Sequence, residues 1–324
     1  MNEADFLEKR EPHWKRLSQL CGKGETTLKS LSSAELVEFF RLYRATSRDL
    51  SMLQAESSNF ELVEFLNSLV ARAYGILYRS PAKSFSTVVK DALLIGAQSV
   101  RKLRWAIFAS FLIFVSGAMT SVLVLSSRPD LRHHIISDDE EGLFSHWKQA
   151  EFEDRTGAEQ AQYWSFYATN NPMVTIRTVA MSAGTFGFFA GFMEFMTGRQ
   201  LGALAYDMNS VGKLGFLVTS LMPHGASELS GIILAGGAGL WMGWAMICPG
   251  RRSRTEALTE SGKDALAVFL MAVLMMFIAA PFEGFFSFSP DYPQWLKAMV
   301  GIVAFGAWMM YWVGYGRKES QPEN

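Results

Sequence analysis

Three residues in the second half of this chain have the types and spacing to hold a metal ion or carry a proton: His224, Glu228 and Glu283. An imidazole and two carboxylates can supply three ligands to a zinc-like ion. His224 and Glu228 are four residues apart, so a helix would place them on one face. The set lacks the paired histidines of a His-Glu-x-x-His helix, and no second histidine is near it in the sequence. His133, His134 and His146 fall in a separate hydrophilic stretch and read as a solvated flank. The same trio admits a structural reading, in which His224 hydrogen-bonds Glu228 or Glu283 and satisfies groups that lipid cannot. A second polar group, Asp207, Asn209 and Lys213, interrupts the apolar segment 201–221. Transporters use such broken helices for substrate and ion sites. Gly22-Lys23-Gly24 lacks the spacing and the Ser/Thr of a phosphate loop. No organic cofactor is expected, and the metal question stays open.

The elements that must position these residues are membrane helices. The chain has 324 residues, 49% of them hydrophobic, and a net charge of −1, which gives no basis for nucleic-acid binding. A crossing needs ~20 apolar residues. Trp105–Leu125, Val174–Met196, Ala226–Cys248, Ala265–Phe282 and Ala298–Tyr315 meet that need, and Leu201–Leu221 would be a discontinuous crossing. The expected fold is therefore all-α: a polytopic bundle of about six crossings over 105–317, after a cytoplasmic helical domain over 1–104. Arg101, Lys102 and Arg104, then Arg251, Arg252, Arg254 and Lys263, and finally Arg317 and Lys318 fall on one side in this scheme. By the positive-inside rule that side is cytoplasmic, with both termini and the tail 318–324 there. The loop 127–172, with nine acidic and four basic residues, would be external. The first apolar run, from Trp105, is expected to act as the insertion signal. Arg177 can snorkel and Glu194 lies near an inner end, whereas His224, Glu228 and Glu283 would collect at the outer depth.

Small residues recur every four positions at Gly231, Ala235, Gly239 and Gly243, and at Ala183, Gly187 and Gly191. Such stripes allow close helix packing, within the bundle or in a homo-oligomer. In the first 104 residues, Ser32 and Glu35 form a capping box with Leu31 and Leu36 as its staple. Trp14, Leu17 and Cys21 should face inward from a helix started or kinked at Pro12. Leu62, Leu66, Leu69, Ala73 and Ile76 should do so from a helix ending before Pro81. Phe85, Val88, Val89, Ala92 and Gly96 suggest a fourth helix lying along the membrane surface.

The segment Pro223-His224-Gly225-Ala226-Ser227-Glu228, followed by the Ile232–Leu240 run, resembles the signature of the stage II sporulation protein M family. Asn170-Asn171, Gly198 with Leu201-Gly202, and Glu283-Gly284-Phe285 are similar as well, with Thr197 where members commonly carry Asn. Phe6–Trp14 resembles the start of that family's long, non-sporulating branch. The resemblance implies a membrane scaffold that holds peptidoglycan-remodelling partners. The partners would bind through 1–104 and 127–172, in contact with the lipid bilayer. A transporter or channel and a metal-dependent intramembrane enzyme are the alternatives the residues allow.

Overall fold

The computed structural model describes residues 3–24, 30–56, 59–78, 84–149 and 154–317, and every regular element among them is helical. The tail 318–324 and Pro81 lie outside the described residues. The chain forms two compact units, Met1–Ser84 and Phe85–Asn324.

In the first unit, α1 (Glu3–Gly24), α2 (Ser33–Glu56) and α3 (Phe60–Leu77) enclose an apolar core. Trp14, Leu17, Leu20 and Cys21 of α1 meet Phe39, Leu50 and Leu53 of α2, and Leu66, Leu69, Ala73 and Ile76 of α3. Helix α1 runs through Pro12 without a new start. The Ser32 amide donates to Glu35 Oε2 at 3.0 Å, and the Glu35 amide donates to Ser32 Oγ at 3.2 Å, the reciprocal cap that starts α2. Trp14 Nε1 donates to buried Asp49 at 3.0 Å, and Arg10 reaches the same carboxylate at 3.4 Å. A buried indole N–H needs such an acceptor.

The second unit holds α4 (Phe85–Lys102), α5 (Arg104–Ser127), α6 (Arg132–Ile135), α7 (Asp138–Gln149), α8 (Gly157–Gly184), α9 (Phe188–Ser210), α10 (Leu214–Ile247), α11 (Arg254–Phe282) and α12 (Gln294–Gly314). A π-helical turn, Glu283–Ser287, extends α11. Four helices are long and apolar enough to cross a membrane: α5, α10, α12, and α11 with its extension. Helices α8 and α9 are less apolar but pack lengthwise in the same bundle, α9 along α5 and α8 along α10 and α11. Helix α4 belongs to this unit rather than to the N-terminal one, because Gly96 packs on Met271 and Tyr311, and Tyr311 donates to the Leu93 carbonyl at 2.6 Å. Its first turns, with Phe85 and Val88, stay exposed.

Several expected bounds are corrected. Val174–Met196 is not one crossing: the chain reverses at 185–187, where Phe186 and Gly187 take φ of 53° and 84°. Hydropathy does not dip across Thr185-Phe186-Gly187-Phe188, so an apolar window cannot detect a turn made by left-handed backbone. Leu201–Leu221 is not a discontinuous crossing either. Helix α9 is continuous to Ser210, Gly212 turns at φ 71°, and α10 begins at Leu214 and passes through Pro223. Residues 157–172, expected within a loop, are the first turns of α8, started by a Thr156–Glu159 capping box.

Helices α5 and α9 run parallel at backbone contact. Added Cβ atoms at Gly117, Gly198 and Gly202 would strike the carbonyl oxygens of Phe195, Phe114 and Ala118. The Gly231–Gly243 stripe is also consumed inside the chain. Gly231 faces Met275 and Met276 of α11, Gly239 faces Ser182 and Ala190, and Gly243 faces the 186–187 turn. Of the second stripe, Ala183 ends α8 and Gly187 lies in the turn, so the three residues do not share a helix face.

The bundle has two unlike ends. At one, Arg101 donates to the Trp312 and Tyr315 carbonyls at 2.8 and 2.9 Å, capping α12, and Lys102 pairs with Asp264 at 2.6 Å. Lys102 and Arg252 line one shallow pocket there, so the 251–254 loop shares this end with Arg101. At the other end, α6 and α7 form a cap. Phe144 and Ile136 are buried against Leu125, Leu204 and Leu217, and Arg199 pairs with Glu140 at 2.5 Å.

Candidate functional site: a His–Glu–Glu cleft under the cap

The capped end of the bundle brings together residues far apart in sequence. His224 and Glu228 are successive turns of α10, Glu283 opens the π-helical turn after α11, and Asn171 comes from α8. One ligand atom from each of His224, Glu228 and Glu283 lies within 4.8 Å of the other two. His224 and Glu283 are buried, whereas the Glu228 side chain keeps 21% exposure. Asn171 Nδ2 donates to both carboxylates, to Glu228 Oε1 at 3.0 Å and Glu283 Oε2 at 3.3 Å.

The imidazole is oriented from behind. His224 Nδ1 lies 2.7 Å from Ser287 Oγ, and Phe288 packs on the ring at 5.3 Å between centroids. With Nδ1 donating to Ser287, Nε2 presents its lone pair toward the acids, the arrangement that outer partners impose on metal-binding histidines. Nε2 stands 3.9 Å from Glu228 Oε2, too far for a hydrogen bond. Among the described residues, neither Glu228 nor Glu283 pairs with a lysine or arginine. Two carboxylates and an imidazole lone pair facing one another repel, unless protons or a cation lie between them. Zinc ligands stand about 2.0–2.2 Å from the ion, so the trio would draw in slightly on binding. A metal here would polarise an oxygen or activate water at positions open to the cleft.

That cleft encloses about 540 Å³. Leu143, Phe144 and Trp147 of the cap line it, together with Tyr167 and Asn170 of α8 and Thr197 and Gln200 of α9. Asn170 bonds its neighbour Asn171 at 3.2 Å, Pro223 is buried one residue before the imidazole, and Gly225 lines the cleft.

The second polar group serves the cap rather than the bundle interior. Asp207 accepts from Arg132 Nη1 and Nη2 at 2.7 and 2.6 Å and pairs with Lys148 at 3.2 Å. Lys213 donates to the Lys148 and Gln149 carbonyls at 3.2 and 2.8 Å, and exposed Asn209 lends its carbonyl to the Gly212 turn. These residues tie α7 to the α9–α10 turn and form no broken-helix site. His133 and His134 contact each other in α6, with ring centroids 3.9 Å apart and planes tilted by 45°.

Sequence reasoning missed Ser287 and Arg155. Ser287 is one turn beyond Glu283 in a segment of unremarkable serines and phenylalanines. Arg155 lies over Tyr163 at 3.9 Å and 5.9 Å from Phe288, and its Nη1 is buried with no hydrogen-bond partner among the described residues. Asn171 is visible in the sequence only as part of the Asn170-Asn171 pair.

Helical elements throughout, four membrane-length apolar helices and polar residues gathered between them define an α-helical membrane protein. Residues 110–288, more than half of the chain, match the family model described as Stage II sporulation protein M, and the chain belongs to that family. Residues 4–79 match a second model, described as a domain of unknown function (DUF8413). No curated protein and no solved structure matches the chain.

Proposed function

We propose that this family member is a multi-pass cell-membrane protein that binds a divalent metal ion in the cleft beneath its external cap. Both termini lie in the cytoplasm on this reading, because the Arg101 and Arg251 clusters share the end opposite the cap. The observation that carries the metal site is the convergence of His224, Glu228 and Glu283 within 4.8 Å, with no basic side chain among the described residues paired to the acids. Ser287 behind the imidazole and Asn171 between the carboxylates supply the outer support that such ligands need. The α1–α3 unit adds a place for protein partners, with Val37 and Phe40 of α2 and Phe60 and Phe65 of α3 exposed. A scaffold role in the cell envelope fits that division of labour, with the metal site outside and partner contacts inside.

The test is metal content and titration of the purified full chain with zinc and with manganese. One ion per chain is expected, lost in Glu228→Gln and in Glu283→Gln while the protein stays monodisperse. A chain that purifies nearly metal-free and gives no binding heat with either ion would remove the site.

A further inference from the structure

Helix α2 turns one face to the core of the α1–α3 unit and a very different one outward. Val37, Phe40, Arg41, Arg44, Arg48 and Ser51 are all exposed, with Val37 at 71% and Phe40 at 48%. At 3.6 residues per turn these six positions fall within one arc of about 100° around the helix axis. No acidic residue falls in that arc. Two apolar side chains thus open a straight row of three guanidiniums.

The charge of that row is not spent inside the unit. Glu38, one turn before Arg41, is held by Arg16 at 2.8 Å. Asp49, next to Arg48, is buried and accepts from Trp14 and pairs with Arg10. Among the described residues Arg41, Arg44 and Arg48 have no carboxylate partner, whereas Arg10, Lys15, Arg16 and Lys23 of α1 each have one. A guanidinium fork matches phosphate oxygens, and a row of them spanning about 10 Å suits a plane of phosphates. Exposed Phe40 and Val37 beside them suit the boundary between headgroups and acyl chains. Such a plane is close at hand. Residues 78–84 join α3 to α4, a link of at most about 30 Å, so the unit is tethered beside the bilayer that the bundle crosses. A soluble acidic protein would have to be recruited against that standing competitor.

We infer that α2 docks the α1–α3 unit onto an anionic lipid surface. Arg41, Arg44 and Arg48 take lipid phosphates, and Phe40 and Val37 enter the interface beside them. That the surface is the cytoplasmic leaflet rests on the topology proposed above, whereas the docking itself does not. Val37 and Phe40 are then covered by lipid, and Phe60 and Phe65 of α3 are left for protein partners.

The experiment places the full chain in lipid nanodiscs of phosphatidylcholine, with or without phosphatidylglycerol, plus a lipid bearing a nitroxide at its headgroup. A bimane fluorophore is attached at Ser51→Cys in a Cys248→Ser background, since Cys248 is the exposed native thiol and Cys21 is buried. The nitroxide should quench the Ser51 probe strongly in the phosphatidylglycerol discs, weakly in phosphatidylcholine alone, and less as salt is raised. A probe at Glu11→Cys, in the groove that α1 and α3 form without α2, should stay unquenched. Arg44→Gln should lower the docked-to-free ratio roughly fivefold, and the triple variant with Arg41→Gln and Arg48→Gln roughly a hundredfold. The salt series on the parent chain reads the same interaction should the triple variant not fold. Equal quenching in both lipids, or quenching that neither salt nor the arginine variants reduce, overturns the inference. A Ser51 probe that stays in water over both lipids overturns it too, and returns the row to an acidic protein. Nanodiscs expose both bilayer faces, so docking is read independently of topology. Reaction of Ser51→Cys with an impermeant maleimide in intact cells would remove the cytoplasmic assignment and leave the docking face standing.

Discussion

The two units of this chain solve the burial problem with opposite materials. In α1–α3 the interior is apolar apart from Thr46 and the Trp14-bonded Asp49, and most charge lies outside, where Arg16 pairs with Glu38 at 2.8 Å and Lys23 with Glu35 at 2.7 Å. Lys23 and the Ser32 amide hold the exposed Glu35 carboxyl down to about 2. In the bundle the buried set includes Ser110, Ser121, Thr178, Ser182, Glu194, His224, Glu283 and Lys297, while Leu266, Leu270, Leu274 and Phe277 of α11 point outward. Water rewards the first arrangement through the hydrophobic effect. Lipid gives no such reward for burying leucine, so the bundle gains its cohesion from close backbone contact and internal hydrogen bonds. Ser121 donating to the Arg199 carbonyl at 2.8 Å across the α5–α9 seam is one such bond.

Glycine substitutions break this comparison most sharply. Gly198→Leu should cost about 4 kcal/mol or more, because the new side chain would displace backbone rather than a flexible neighbour. Loss of a monodisperse peak in detergent chromatography is the expected result, and a normal peak would refute the close α5–α9 seam. Leu17→Ala, at a position with no exposure, should cost about 2–5 kcal/mol by leaving a cavity in a water-type core. Its effect should appear as early protease cleavage within the first 84 residues, with the bundle's chromatographic behaviour unchanged.

The cap sharpens the contrast, because it sits on the bundle yet uses charge as the N-terminal unit does. Burial works against ionised Glu140, but the Arg199 guanidinium and the Ser137 amide outweigh it and hold its carboxyl below the usual glutamate range. The pair therefore contributes fully at neutral pH and loses its contribution as pH falls below about 4.5, the ordinary glutamate value. At most about 1 kcal/mol is at stake after solvent screening. Hydrogen exchange in α7 should rise on acidification in the parent chain, and a Glu140→Gln variant should exchange faster already at neutral pH and change less. The smallest expected effect is favourable: Gly75→Ala in α3 meets nothing within 4 Å and should stabilise by about 0.5–1 kcal/mol. The effect of replacing a glycine thus follows what the new side chain meets: backbone at Gly198, open space at Gly75.

Legibility in the sequence followed the same divide. In the N-terminal unit, the inward residues of α3 and the Ser32–Glu35 cap are where periodicity and capping chemistry place them, because both are local. In the bundle, the apolar stretches were visible and so was the polar interruption at 207–213, but the reversal at 185–187 was not, and the interruption read as a break within one crossing rather than a turn between two helices. Hydropathy averages over side chains, and the direction the chain takes at both turns is decided by φ at Phe186, Gly187 and Gly212. The Gly/Ala stripe on α10 was readable as a packing surface, but not which helices would fill it.

By itself, the sequence determined the all-helical class, the split between a charged N-terminal third and an apolar remainder, and the residue types able to hold a cation. Local spacing and composition are enough for that. Tertiary structure alone decided that Asn171, His224 and Glu283, brought in by three different helices, converge under one cap. It also decided that Asp207 and Lys213 serve the cap. Those outcomes depend on helix contacts between distant segments, and no window along the chain contains both partners of such a contact.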